Sequence, residues 1–247
     1  RRMIPSIHYG QFGIGTLDVA VAGDPFWSYV TVLLNMGGSD GSTAFVDEKG
    51  NAVTAYGNAQ IDTSLGYNTG LFDGSGDYLT VAYSSGMDLS SGDWTIEVWG
   101  VSNSLSDNQT LICKDGQAGV SYPQYTIYVT SVGKVAGIIG TGTGTSSLQF
   151  IFTPSGALTA GVPFHIAMCL EGTTLRIYID GIQQYFGTKT ATMTNNASKP
   201  LYVAYQHGQP SSFYFDGHQR AVRITKGVCR FSGGTSFTPE TPPLPTS

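Results

Sequence analysis

The feature that most constrains the fold is a succession of short apolar runs, which begins at about residue 29 and is interrupted by clusters of Gly, Asp, Ser and Asn. These runs alternate with a period of two. In WTIEVWGV, Trp94, Ile96 and Val98 share one face, and the residues between them share the other. No long window shows a helical period. Many short strands without helices predict an all-β sandwich or jelly roll built from antiparallel sheets.

Asp-Gly pairs mark turns between these runs. Asp-Gly occurs five times, and in TLRIYIDGIQQYFG the pair lies between two strand-like runs. A type I′ turn needs positive φ at both central residues, so this segment is the best predicted hairpin of the chain. The clearest strands are predicted at 29–34, 78–83, 94–101, 125–130, 164–170, 174–180 and 220–225.

Composition excludes several classes of protein. Charged residues are 12% of the chain and the net charge is −5, without a Lys/Arg cluster, so we expect no nucleic-acid partner. No apolar run approaches the roughly 20 residues that span a bilayer, and RRMIPSIHYG leads into no apolar signal-peptide region. Three widely spaced cysteines lack a CxxC pair, which favours buried free thiols, with a single disulfide as the alternative, over a zinc site.

The stretch LFDGSGDYLTV places two acids, Asp73 and Asp77, around Gly74, Ser75 and Gly76. Such a stretch could bind calcium or form a tight turn between two strands. A calcium loop of the EF-hand kind needs further oxygen ligands and a bidentate acid, and a strand resumes immediately at Tyr78. We therefore predict a turn in which Asp73 accepts an Asx-type bond from the backbone, and expect no cofactor, with Asp73 and Asp77 as weak calcium candidates.

The carboxylates do not form the pattern of a glycoside hydrolase. These enzymes need two carboxylates about 5–5.5 Å or about 6.5–9.5 Å apart, and an acidic E-x-D-x-x-E strand is absent. Glu97 has Thr95 and Trp99 as same-face neighbours, while Glu171 and Asp180 stand alone at strand ends. No G-x-S-x-G elbow is present, and we expect His165, His207 and His218 to be solvated or hydrogen-bonded. The sequence therefore predicts no catalytic residues.

Two aromatic loop segments, SYPQY (121–125) and AYQHGQPSSFYF (204–215), carry the candidate binding residues. Aromatic rings could stack on the apolar face of a sugar while amide side chains bond its hydroxyls. The alternative is that the tyrosines fill the core, the sandwich edge or a protein–protein interface, where Tyr is enriched. The candidate contacts to a glycan or partner are Tyr122, Gln124, Tyr125, Tyr205, Gln206, Gln209 and Tyr214.

Both ends of the chain differ in character from the segment between them. Residues 1–27 are apolar and Gly-containing, and are predicted to be an extra strand or an attachment arm. The C-terminal FTPETPPLPTS is rich in proline, which excludes it from a central strand. It could cap the domain surface or dock a partner.

Several blocks together carry a family resemblance. YVTVLLNMGGSDGSTAFVDEKGNAVTAYGNAQIDTS, GLFDGSGDYLTV, SGDWTIEVWG, LTAGVPFHIAMCLEGTTLRIYIDGIQQ and RAVRITKGVCRFSGGTSFTPETPPLP occur in this order. Over about residues 28–245 the chain resembles the laminin-G-like (concanavalin A-like) jelly-roll domains of tailed-bacteriophage structural proteins. Many relatives carry acids just before the strand that matches RAVRIT, whereas this chain has GHQRA at 217–221. That difference argues against an acidic or calcium site near the last strand.

The resemblance implies an arm at 1–27, a two-sheet jelly roll at 28–238 and a Pro-rich tail at 239–247. It also implies a non-enzymatic virion protein made in the host bacterial cytoplasm, with a capsid-decoration or tail-accessory role. Such a protein would bind other virion proteins through residues 1–27, by apolar contacts or by strand addition, and we expect a homo-oligomer. The alternative function is a glycan-binding adhesin for host surface polysaccharide, and a polysaccharide hydrolase is the third.

Overall fold

A computed structural model describes residues 23–115, 123–140, 148–194, 199–207 and 213–247. These residues form two antiparallel sheets and two short 3-10 turns, Trp27–Tyr29 and Ser85–Met87, so the all-β prediction is confirmed. The strands are β1 (Val30–Leu34), β2 (Val53–Tyr56), β3 (Gln60–Asp62), β4 (Thr69–Asp73), β5 (Tyr78–Val81), β6 (Trp94–Ser102), β7 (Gln109–Asp115), β8 (Pro123–Val129), β9 (Val135–Gly140), β10 (Leu148–Phe152), β11 (Pro163–Glu171), β12 (Thr174–Ile179), β13 (Ile182–Thr188), β14 (Leu201–Val203) and β15 (Asp216–Lys226).

The two sheets form a jelly-roll sandwich. One is an eight-stranded sheet in the order β13-β12-β11-β6-β15-β4-β3, with β1 also pairing with β15. The other is a seven-stranded sheet in the order β10-β9-β8-β7-β14-β5-β2. All seven strands predicted from the sequence are present, with ends shifted by a few residues. The last strand begins at Asp216, so the whole GHQRA stretch lies inside β15 and not before it.

The core lies between the sheets and follows the period-two pattern. Trp94, Ile96 and Val98 of β6 are fully buried and meet residues such as Leu79 and Val81 of the opposite sheet in one cluster. Burying a large apolar side chain contributes about 1.5–3 kcal/mol, so this layer is the main source of stability. All three cysteines are buried and free, as the sequence favours.

The predicted hairpin at Asp180-Gly181 is confirmed. Both residues have positive φ, 50° and 77°, and they join β12 to β13. Position 181 also excludes any side chain on steric grounds, because a Cβ there would lie 1.9 Å from the carbonyl oxygen of Phe237. Local chemistry and tertiary packing therefore both require glycine.

The stretch LFDGSGDYLTV is a turn, but it does not connect neighbouring strands. It carries the chain from β4 in the eight-stranded sheet to β5 in the seven-stranded sheet. Asp73 Oδ1 accepts a bond from the Ser75 amide at 2.8 Å, which confirms the predicted Asx-type bond. Asp77 is buried and accepts bonds from the amides of Asn58 (2.7 Å) and Asp73 (3.2 Å). Both side-chain oxygens of Asp77 accept hydrogen bonds from the backbone, so Asp73 and Asp77 are not proposed as calcium ligands.

The outer face of the eight-stranded sheet is covered, which the alternating pattern does not predict. Strand β6 is buried along almost its whole length, including the face that carries Glu97 and Trp99. The C-terminal segment lies across it: Trp99 Nε1 donates to the carbonyl of Glu240 at 3.0 Å, and Asn35 exchanges two bonds with the backbone of Leu244. Strand β6 is therefore buried on both faces, and the position of the tail fits the capping interpretation.

Beneath this segment lies a buried group of charges. Arg223 donates to both oxygens of Glu97, at 2.7 and 3.0 Å, and to Glu240 at 2.6 Å. Arg230 donates to both oxygens of Asp24, at 3.0 and 2.6 Å. Burial opposes the ionisation of Glu97, but Arg223 outweighs it and lowers its pKa from 4.5 to about 2. Arg223 and Arg230 are therefore both paired with carboxylates within the domain.

Candidate functional site: a tyrosine patch on the seven-stranded sheet

Strand alternation directs several tyrosines to the outer face of the seven-stranded sheet. Leu79 and Val81 of β5 belong to the core, so Tyr78 faces outward. In β14, Tyr202 lies between two core residues and faces outward for the same reason. The outer side of this sheet thus receives aromatic rings from two neighbouring strands.

Tyr56 of β2 completes a stacked pair on this face. It lies directly opposite Tyr78 in the antiparallel ladder, with ring centroids 4.4 Å apart and planes within 4°. The Tyr56 side chain is 42% exposed, so one face of the pair is open to solvent. Cross-strand aromatic pairs of this kind stabilise a sheet by about 0.2–1 kcal/mol while leaving a flat apolar surface.

The connection between β14 and β15 adds a second stacked pair, Tyr205 and Tyr214, with centroids 4.4 Å apart and planes within 11°. Ala204 starts this connection at φ 68° and accepts a bond from the Phe215 amide at 2.9 Å, so the two ends of the connection are held together. The Tyr205 and Tyr214 rings lie 5.0 and 6.2 Å from that of Tyr78. We call Tyr56, Tyr78, Tyr202, Tyr205 and Tyr214 the tyrosine patch.

Burial keeps the phenols of Tyr78 and Tyr202 protonated at neutral pH. Burial raises the pKa of Tyr78, with smaller contributions from Tyr56 and Tyr214. Burial also raises the pKa of Tyr202, and the nearby Asp115 adds to the effect. A protonated phenol can both donate and accept a hydrogen bond, so the patch offers uncharged polar groups at the edges of apolar rings.

One rim of the patch carries two ionisable side chains, those of His207 and Asp115. His207 stacks on Tyr202 with centroids 5.5 Å apart, and its Nδ1 lies 2.9 Å from Oδ2 of the buried Asp115. Burial raises the pKa of Asp115, and the opposing effects of His207 and Lys199 are smaller. This contact anchors the start of the β14–β15 connection to β7.

The structure brings together only part of the predicted site. Tyr205 and Tyr214 belong to the patch, whereas Tyr122 and Gln209 lie outside the described residues. Gln124, Tyr125 and Gln206 are buried, at 3%, 1% and 3% exposure. These last three therefore do not contribute to an exposed contact surface.

Tyr125 shows why the loop assignment misplaced part of this set. Strand β8 begins at Pro123, so SYPQY ends inside a strand and not in a loop. The Tyr125 ring enters the core, and its hydroxyl donates to the carbonyl of Met87 at 3.0 Å. The core alternative given for the tyrosines thus holds for this residue.

Three patch residues were missed by sequence reasoning: Tyr56, Tyr78 and Tyr202. Alternation in VTAY, YLTV and LYV assigns each ring to one face of its strand. It does not say that β2, β5 and β14 are adjacent, which only the pairing order shows. The sequence therefore indicates which face of its strand each ring occupies, but it does not indicate that the three rings lie together.

The carboxylates considered for catalysis are engaged within the fold. Glu97 is paired with Arg223, and Glu171 accepts a bond from Arg176 at 2.7 Å. Asp180 accepts a bond from the His165 amide at 2.8 Å. In the described part of the chain, no group of three or more His, Cys, Asp or Glu residues is placed to hold a metal ion.

Each of the three histidines that we expected to be solvated or hydrogen-bonded lies beside a polar side chain. His165 Nε2 is 3.3 Å from Glu97, and His207 contacts Asp115. His218 Nδ1 is 3.1 Å from the hydroxyl of Thr69, and burial lowers the pKa of this imidazole.

Comparison with known proteins places this sandwich in a family. The model of the concanavalin A-like lectin/glucanases superfamily matches residues 73–230. The match covers well over half of the 247 residues, and the chain therefore belongs to this superfamily. A search of curated protein sequences found no match. Within the described ranges, no helix is long and apolar enough to cross a bilayer.

Solved structures with the same fold include toxin domains and an enzyme. The binding domain of Paraclostridial mosquitocidal protein 1 aligns with TM-score 0.64 and 12% identity over 83% of this chain and 50% of that chain. Botulinum neurotoxin type C, whose cell entry depends on two ganglioside molecules, aligns with TM-score 0.60 and 15% identity over 83% and 49%. Trypanosoma rangeli sialidase aligns with TM-score 0.56 and 13% identity over 80% and 30%. The chain spans half or less of these proteins, and the identities establish the fold alone.

Proposed function

We propose that this domain is a non-catalytic carbohydrate-binding module and that the tyrosine patch is its contact surface. The observation that carries the proposal is the association of two stacked tyrosine pairs on one sheet face, with centroids 4.4 Å apart in each. Four of the five rings are half-buried or exposed, so they present a solvent-facing platform. The superfamily and the two toxin proteins named above agree with a binding role.

The chemistry of the platform suits a neutral sugar. One face of many pyranose rings carries only C–H groups, which pack against an aromatic ring, and the surrounding hydroxyls bond with phenols that act as donors and acceptors. Each ring of the patch already packs against another ring, so little conformational entropy is lost on binding. The patch therefore combines preorganisation with uncharged hydrogen-bonding groups.

A protein–protein interface is the competing interpretation, since tyrosine is also enriched there. Both hypotheses use the tyrosine patch as the contact surface, and they differ in whether the ligand is a glycan or a protein. A glycan array probed with the purified protein separates them: we expect binding to a restricted set of glycans. No binding to any glycan would contradict the proposal.

Substitutions then locate the site. We expect Tyr56→Ala and Tyr214→Ala each to weaken glycan binding by about tenfold or more, because each removes one stacking partner and about 1–3 kcal/mol of contact. Tyr29→Ala is the matched control, since Tyr29 is 48% exposed outside the patch and should leave binding unchanged. Equal losses in all three variants would argue against a site at the patch. Incubation with the bound glycan should release no new reducing ends.

We also propose that the module belongs to a bacteriophage virion protein in a decoration or tail-accessory role, which the sequence resemblance over residues 28–245 supports. In this proposal, residues 1–27 dock on other virion proteins and the module forms a homo-oligomer. The ligand on the host cell is a surface glycan. Immunogold labelling of purified particles tests the location. Normal incorporation of a variant lacking residues 1–27 would contradict the docking role.

A further inference from the structure

A cleft lies on the outer face of the eight-stranded sheet, on the side of the sandwich away from the tyrosine patch. Its volume is about 680 Å³, it is partly open to solvent, and it lies between the C-terminal segment Pro242–Thr246 and residues Tyr67, Asn68 and Arg220. A smaller cavity of about 70 Å³ adjoins it, shares Tyr67 and Arg220, and is lined by Trp99 and Phe164 among others. The proposed glycan contact surface does not include any of these residues.

Arg220 reaches this cleft because β15 contains a bulge. Gln219 pairs with Gly100 of β6 and Ala221 pairs with Trp99, so Arg220 has no partner on β6. Gln219 points inward and donates to the carbonyl of Leu111 in the opposite sheet, whereas Ala221 packs in the cluster on the outer face. The extra residue therefore directs Arg220 outward, which is how bulges re-aim side chains next to binding sites.

The Arg220 guanidinium is held in place but not neutralised. It lies 4.1 Å from the centroid of the Tyr67 ring and donates to the carbonyl of Pro242. Among the arginines that the structure describes, the other three form ion pairs with carboxylates, and Arg220 forms none. Three carboxylates line this cleft or an adjoining cavity with Arg220, and none of them makes an ion pair with it: Glu48 is exposed, Glu240 pairs with Arg223, and Asp180 accepts a bond from the His165 amide. Arg220 is thus an oriented, unpaired cation at the wall of a cleft.

An oriented guanidinium has a definite ligand chemistry. It carries five N–H donors in a planar fork that matches a carboxylate, and only one is used by Pro242. Stacking on Tyr67 fixes the plane of that fork. A volume of about 680 Å³ is that of a typical small-molecule site, and the Tyr67 ring and the Asn68 carboxamide offer the apolar and polar contacts that a sugar ring requires.

We propose that this cleft is a second ligand site, which binds a carboxylate-bearing sugar through Arg220. The guanidinium holds the carboxylate, Tyr67 and the neighbouring aromatic surface contact the ring, and the C-terminal segment forms the wall. The site is independent of the tyrosine patch in both position and ligand charge. A failure of the patch to bind neutral glycans would therefore leave this proposal standing.

Titration of the full chain with methyl β-D-glucuronide and with N-acetylneuraminic acid tests the proposal, with methyl β-D-glucoside as the neutral control. Binding is followed by calorimetry and by amide chemical shifts. We expect at least one of the acidic sugars to bind tenfold or more tightly than the glucoside, with the shifts concentrated at Asn68, Arg220 and Leu244. Equal binding of the neutral sugar, no binding of either acid, or shifts confined to the tyrosine patch would overturn it.

Three variants test whether the Arg220 guanidinium binds the carboxylate of the sugar. Arg220→Ala should abolish binding of the acidic sugar, and Arg220→Lys should weaken it about tenfold, because an ammonium cannot form the bidentate pair. Lys226→Ala makes the same change in net charge at an exposed side chain that bonds Ser85, and should have no effect. Unchanged binding in Arg220→Ala would contradict the proposal.

Two controls keep the result interpretable. Arg220 also anchors the tail at Pro242, so thermal melting of each variant is measured, and the shift map of the wild-type protein decides the case if Arg220→Ala is unfolded. An acidic dipeptide is titrated in parallel. Binding of the dipeptide without binding of either acidic sugar would overturn the sugar assignment and indicate a peptide site.

Discussion

The two outer faces of the sandwich differ in what covers them. On the eight-stranded sheet, the chain lays its own C-terminal segment over Trp99, Ala221 and a group of paired charges. On the seven-stranded sheet, the aromatic rings of β2 and β5 stack on one another, and Tyr56 stays 42% exposed. Both faces are aromatic, but only one is closed by ion pairs and backbone hydrogen bonds.

This difference indicates how the domain divides stability from binding. Charges that are buried and paired are costly to break, because the remaining partner keeps its desolvation penalty. Half-exposed stacked rings contribute little to folding and are free to meet a ligand. The paired charges of the covered face should therefore matter mainly in unfolding experiments, and the stacked rings of the open face mainly in binding experiments.

The largest expected effect is that of Arg223→Ala. The substitution leaves Glu97 buried without its bidentate partner, and we expect the free energy of unfolding to fall by about 3–5 kcal/mol in urea titrations. Arg176→Ala is the control, since its ion pair with the partly exposed Glu171 should contribute about 1 kcal/mol or less. Similar losses in the two variants would remove the distinction between a closed face and an ordinary surface.

Acid should remove the stabilisation that the ion pair between Glu97 and Arg223 gives to the covered face. The pKa of Glu97 is lowered from 4.5 to about 2 in the folded state, so its contribution is complete above pH 4.5 and is lost as the pH falls toward 2. The loss should amount to about 3 kcal/mol. Urea midpoints measured from pH 6 to pH 2.5 test this, and the slope should flatten in Glu97→Gln. A Glu97→Gln profile as steep as that of the wild-type protein would contradict it.

A smaller effect is expected where the tail packs on the sheet. Leu244→Ala removes a buried side chain from the cluster with Val30, Leu33, Trp99 and Ala221, which should cost about 2 kcal/mol in thermal or chemical unfolding. Leu65→Ala, at an exposed leucine, should change stability by about 0.5 kcal/mol or less. A Leu244→Ala protein as stable as the control would mean that the tail contributes nothing to the closure of this face.

The smallest effect on stability should come from the open face. Tyr214→Ala removes one stacked ring, and we expect the free energy of unfolding to fall by about 1 kcal/mol, with a much larger loss of glycan affinity. The contrast with Arg223→Ala is the test. If Tyr214→Ala were the more destabilising of the two, the patch would be a structural cluster and not a contact surface.

Much of the fold was predictable because its signals are local. Period-two alternation located seven strands, and positive φ at Asp180 and Gly181 follows from the Asp-Gly pair itself. The Asx-type bond of Asp73 is likewise formed within two residues. What was not predictable is that the turn at Asp73 joins two different sheets, because alternation does not specify which strands pair.

The candidate site was only partly predictable for the same reason. Tyr205 and Tyr214 lie in one aromatic segment and could be named together, whereas Tyr56, Tyr78 and Tyr202 meet only through strand order. Tyr125 was assigned both to the aromatic segment 121–125 and to the start of a strand at 125–130, whereas β8 begins two residues earlier, at Pro123. The bulge at Arg220 is likewise a property of pairing with β6 and leaves no mark in the sequence.

The sequence by itself determined the positions of seven strands, the sharp turn at Asp180-Gly181, and that the domain is a tyrosine-rich β protein with few charged residues. Only the tertiary structure decided which outer face is closed and which is open. The physical reason is distance along the chain: Arg223 meets Glu97 across 126 residues, and Asn35 meets Leu244 across 209. Side chains this far apart have no local pattern that links them, so their pairing follows from the order of the strands and the path of the tail.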